Sequence, residues 1–180
     1  MSHTSETNAR GPIWDMLGSR MPRGVVGLSD PDVHLFGDRW VMFIGGFSTS
    51  FRNRLYRARL PAGVEPDHGG WVLDRRPVVA DPPKGAWDAG GMHTPSYVPP
   101  HHGYPARLYY AGRATTRHYG EGSAYAIGVL TLDDHGGWVR DEAPVLRGWP
   151  GGERTRTAGD RRRGRLPDVV PGHPARGRPR

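Results

Sequence analysis

Apolar residues in this chain fall in short runs, each closed by Gly, Pro, Asp or His. Trp40-Val41-Met42-Phe43-Ile44 is apolar throughout, and a run without polar alternation predicts a strand covered on both faces. It follows Asp32 to Phe36 across Gly37-Asp38, which predicts a tight turn between antiparallel partners. Read in the same way, the first half predicts four strands, roughly Asp32–Phe36, Arg39–Gly45, Arg54–Leu60 and Trp71–Val79. The second half predicts four more, roughly Ser96–Val98, Arg107–Ala111, Ala124–Leu132 and Trp138–Leu146.

The two sets read as copies of one unit. His68-Gly69-Gly70-Trp71-Val72 recurs as His135-Gly136-Gly137-Trp138-Val139, an offset that also carries Asp74 to Asp141 and Pro77-Val78 to Pro144-Val145. Upstream the offset is slightly shorter: Pro31-Asp32-Val33 answers to Pro95-Ser96-Tyr97-Val98, and Trp40 to Gly45 answers to Leu108-Tyr109-Tyr110-Ala111-Gly112. Four short antiparallel strands per copy suit a β-propeller blade. The expected organisation is a lead-in segment over 1–29, two blades over 30–80 and 95–146 joined by a loop at 81–94, and a tail over 147–180.

Composition sharpens this picture at the C-terminus. Of the net charge of +7, residues 151–180 carry nine Arg against Glu153, Asp160 and Asp168, so the strand-rich part is almost neutral. The tail has little apolar content and no strand or helix period, which predicts disorder. Its Arg and Gly suggest phosphate binding, but no aromatic is interleaved among residues 151–180, which argues against a nucleic-acid partner. The absence of cysteine excludes disulfides and thiolate metal sites. The nine histidines show no metal-ligand spacing, and no phosphate loop or dinucleotide fingerprint occurs, so no metal or cofactor is expected. Met1 to Arg10 is polar and no apolar run approaches membrane-spanning length, so a cytoplasmic protein without a membrane partner is the default expectation.

Asp30-Pro31-Asp32-Val33 ahead of an aromatic strand ending Phe43-Ile44-Gly45-Gly46 resembles the five-bladed β-propeller glycoside hydrolases of families 43, 32 and 68. Trp87-Asp88, Thr94-Pro95-Ser96-Tyr97-Val98 and Leu108-Tyr109-Tyr110-Ala111-Gly112 add to the resemblance, which covers about residues 30–146. It implies an all-β fold and action on an oligosaccharide or glycoside. It also implies that Asp30 is the general base or nucleophile at the start of the first blade's innermost strand. Asp32 is the reserve, since residues two apart share a face of an extended strand. Trp87, Asp88 and His93 are the substrate-binding candidates, through ring stacking, a channel-side carboxylate and a hydroxyl contact. Without the resemblance, Asp30 reads as a turn cap before Pro31, and Trp87, Asp88 and His93 as structural residues.

The family's general acid comes from later blades, and neither Glu121 nor Glu142 matches its motif. The chain therefore reads as a truncated propeller of low activity, with a tail resembling out-of-frame translation of GC-rich DNA. Two alternatives stand beside this reading. One is a non-catalytic fragment that binds glycans through Trp87, Tyr109 and Tyr110 or self-assembles into a larger propeller. The other is nucleic-acid binding by the tail.

Overall fold

A computed structural model describes residues 21–67, 69–117 and 120–147. The chain divides into two units, Met1–Gly148 and Trp149–Arg180, and every described residue belongs to the first. The tail beyond Arg147, which itself lies in a strand, most of the lead-in segment, His68, His118 and Tyr119 lie outside the described residues.

The described chain is all strand: β1 (Val25–Phe36), β2 (Arg39–Ser48), β3 (Asn53–Arg59), β4 (Val72–Leu73), β5 (Gly91–Val98), β6 (Arg107–Arg113), β7 (Ala126–Leu132), β8 (Trp138–Arg140) and β9 (Leu146–Arg147). Strands β1 to β4 form one antiparallel blade, and β5 to β8 form a second. The blades are joined by a single parallel bridge, Asn53 to Gly91. Among the described residues no helix is long and apolar enough to cross a membrane.

The repeat is visible in backbone hydrogen bonds as well as in sequence. Asp74 N–H donates to Arg57 O and Val78 N–H to Leu55 O; in the second blade Asp141 N–H donates to Val129 O and Val145 N–H to Ile127 O. Leu60 N–H to Trp40 O likewise recurs as Leu132 N–H to Ala106 O. The register between β1 and β2 slips between Ser29 and Asp32, and that between β5 and β6 slips between His93 and Ser96. Each slip is a bulge on the inner strand at its X-Pro step, Asp30-Pro31 and Thr94-Pro95.

Three expectations are corrected. The inner strands start earlier than read, at Val25 and Gly91, because pairing continues across each bulge to the residues before it. Each outer strand, read as Trp71–Val79 and Trp138–Leu146, is interrupted. Pro77 and Pro144 lack the N–H that a ladder needs; beyond them Val78 rejoins β3 in the first blade, and Val145 with β9 rejoins β7 in the second. Strand β7 begins at Ala126 rather than Ala124.

Strand β2 explains the core. Met42 and Ile44 pack with Leu28, Tyr56, Ala58, Leu60, Trp71 and Leu73 on one face of the first blade. Val41 and Phe43 point the other way and join Leu55, Met92, Leu108, Tyr110 and Leu130 between the blades. The apolar run is thus covered on both faces, as its lack of alternation predicts. Charge pairs hold the blade's outer edge: Arg57 and Arg59 meet Asp74 at 2.9 and 2.7 Å, and Arg54 grips Asp81 with two bonds of 2.6 Å.

Candidate functional site

Asp30 sits in the bulge of β1 with φ of +55°, and Thr94 sits in the bulge of β5 with φ of +51°. Asp tolerates this left-handed conformation, but a β-branched threonine adopts it only under constraint. The two residues occupy matching places in the two repeats, and they meet. Thr94 Oγ1 donates to Asp30 Oδ2 at 3.2 Å, and Ser29 Oγ donates to the same oxygen at 3.1 Å. The Asp30 side chain remains 46% exposed, so one flank of the carboxylate is open to a ligand.

His93 stands beside this pair. Its Nδ1 is 2.7 Å from Thr94 Oγ1 and 4.0 Å from Asp30 Oδ2, and its ring meets Tyr125 edge-on at 4.8 Å. Burial pushes the His93 pKa below the ordinary value, against the pull of the Asp30 carboxylate. Its Nε2 is buried with no hydrogen-bond partner. Arg113 lies over the Tyr125 ring, 5.3 Å from its centre.

Asp32 is occupied. It accepts the Tyr97 backbone N–H from β5, and its Oδ1 is 2.9 Å from His34 Nε2. It ties the inner strands of the two blades together. Tyr97 in turn stacks on Phe43 at 5.4 Å and meets His34 edge-on at 5.0 Å.

Trp87 and Asp88 lie on the other side of the second blade. Trp87 stacks on Tyr110 with ring centres 5.9 Å apart, and packs against the inter-blade core that holds Met92. Met92 and His93 are successive strand residues, so they face opposite ways. Asp88 is wholly buried, accepts the Tyr110 hydroxyl at 2.7 Å and pairs with Arg140 at 3.2 Å. Burial and the adjacent Asp88 carboxylate hold the Tyr110 hydroxyl protonated, well above the usual phenol range. Of the five candidate residues, the structure thus gathers Asp30 and His93 into one group. It places Asp32 at the blade junction, and Trp87 and Asp88 in packing.

Thr94, Ser29, His34 and Tyr125 complete the surroundings. Thr94 carried a readable signal, because extending the Pro31 to Pro95 match by one residue aligns it with Asp30. Tyr125 carried none. Clefts of about 610, 520 and 430 Å³ open elsewhere, the largest beside His101, His102, Asp133 and Asp134, and Asp30 lines none of them. Among the described residues no group of three or more His, Asp or Glu is placed to hold a metal ion.

No family model and no curated protein sequence matches the chain. Solved structures do. One described as a BT0996 RGII complex superposes with a TM-score of 0.52 at 16% identity, over 74% of this chain and 44% of its own. One described as a glycoside hydrolase gives 0.48 at 16% identity over the same shares of the two chains. A GH32 beta-fructofuranosidase from Bombyx mori, solved as a mutant in complex with sucrose, gives 0.47 at 16% identity, over 71% of this chain and 26% of its own. The chain therefore spans less than half the length of these structures. The likeness is one of fold: the chain has an all-β, propeller-like blade architecture.

Proposed function

We propose that this chain acts on oligosaccharide glycosidic bonds, with Asp30 as the general base or nucleophile. The observation that carries the reading is the Asp30 carboxylate itself. It is half exposed, held in a strained bulge, and steadied by Ser29 and Thr94 where the inner strands of two blades meet. Strained residues persist where the surrounding structure over-determines them, and functional sites are where they cluster. The motif around Asp30 carries the same expectation. His93 backs the group through its contact with Thr94. Asp32 supports the site from the blade junction, through Tyr97 and His34.

Glycoside hydrolysis uses two carboxyl groups flanking the bond. Asp32 and Asp88 are engaged in structural contacts, so the group around Asp30 supplies one of the two. Turnover by this chain alone is therefore expected to be slow. A sugar-binding role without catalysis is the second reading, favoured by this same shortage of a second carboxylate.

The test is hydrolysis of a panel of aryl glycosides by the wild type and Asp30→Asn. Weak hydrolysis that disappears in a folded Asp30→Asn variant is the expected outcome. Equal rates in both proteins would remove Asp30 from the mechanism. Sugar binding without hydrolysis would leave the second reading, and absence of both would remove the two together.

A further inference from the structure

The hydrogen bonds around Thr94 have a direction, and that direction reaches His93. An ionised carboxylate only accepts, so the Thr94 hydroxyl must donate its single proton to Asp30 Oδ2, 3.2 Å away. Thr94 Oγ1 then has only lone pairs left for His93 Nδ1, 2.7 Å away. That contact is a hydrogen bond only if Nδ1 carries a proton. The other ring nitrogen, Nε2, is buried and has no partner.

We propose that Thr94 is a positioning residue for this site: it orients the Asp30 carboxylate and fixes His93 as the tautomer with Nδ1 protonated and Nε2 without a proton. Its value to catalysis rests on the function proposed above; the tautomer does not. Burial lowers the His93 pKa and so favours the neutral ring, the form that has a nitrogen without a proton. The other charged groups about the ring are Asp30, which favours its protonation, and Arg113, which opposes it. The φ of +51° at Thr94 is what this arrangement requires of the backbone. The two repeats have thus diverged at one matched position. Asp30 keeps the reactive carboxylate, and Thr94 keeps the hydroxyl that aims it.

The experiment is long-range ¹H–¹⁵N correlation of the histidine side chains in uniformly labelled protein, for the wild type, Thr94→Ser and Thr94→Val. The wild type and Thr94→Ser are expected to show His93 with a protonated Nδ1 and an unprotonated Nε2, at a pH where the ring is neutral. Thr94→Val is expected to lose that preference, and to lower any kcat/KM by about tenfold or more. A wild-type His93 protonated at Nε2, or the same tautomer retained unchanged in Thr94→Val, overturns the positioning role. Neither outcome bears on whether Asp30 does chemistry.

Discussion

At the scale of single residues, buried polar groups decide where this chain tolerates change. Asp88 has no solvent and accepts hydrogen bonds from both Tyr110 and Arg140. Asp88→Ala would leave the Arg140 guanidinium, itself only 13% exposed, without its partner. Breaking a buried pair from one side costs about 3–5 kcal/mol, and denaturant unfolding should show a loss of that order. Tyr110→Phe keeps the ion pair and should cost less, about 1–2 kcal/mol. His93 makes stability depend on pH. Its pKa is pushed below 6.5 in the folded protein, whereas the unfolded chain binds the proton near that value. The folded state therefore loses stability as pH falls below 6.5, until the folded ring also protonates. Melting temperatures from about pH 8 downward should show this decline, and His93→Asn should flatten it. The sequence named Asp88 as a channel-side carboxylate only through the family resemblance, and as a structural residue without it; neither reading named its partners. Its Arg140 partner lies 52 residues away and no local pattern announces it.

At the scale of elements, period and punctuation carried most of the fold. Val41 to Ile44 predicted a doubly covered strand, and the two cores confirm it residue by residue. The offset from Trp71 to Trp138 predicted a repeat, and the matched bonds of Asp74 with Asp141 and Val78 with Val145 show it. What escaped was the bulge. A left-handed residue before a proline leaves no mark on hydrophobic alternation, so the inner strands were read as starting too late. The joint between blades was equally silent. Gly91, with φ of +137°, brings its backbone so close to Asn53 that an added Cβ would lie 2.6 Å from the Asn53 nitrogen. Gly91→Ala should therefore loosen the Asn53 bridge. Hydrogen exchange should show faster exchange at Asn53 and Gly91, while the middle of β2 stays protected. Equal protection at the bridge in both proteins would contradict this role for Gly91.

At the scale of the molecule, the two blades share one core, and they should fail together. Leu108 is fully buried between Phe43 and Leu55 of the first blade and Leu130 of the second. Leu108→Ala should destabilise by about 2–5 kcal/mol and lower a single unfolding transition. Two separate transitions would show that the blades are independent. The far face of the second blade is less covered, with Tyr109 and Ile127 half-buried and Val139 exposed. The proposed function depends, at this scale, on Asp30 lying in the ligand-facing group of the two-blade unit. Amide shifts mapped while methyl arabinofuranoside, methyl xyloside and methyl fructofuranoside are titrated into ¹⁵N-labelled protein would locate that group. Shifts are expected to concentrate at Ser29 to Asp32 and at His93 to Tyr97, and to weaken in Asp30→Asn. Shifts centred instead on Trp87, or on the cleft by His101 and Asp133, or no shifts with any of the three sugars, would contradict it.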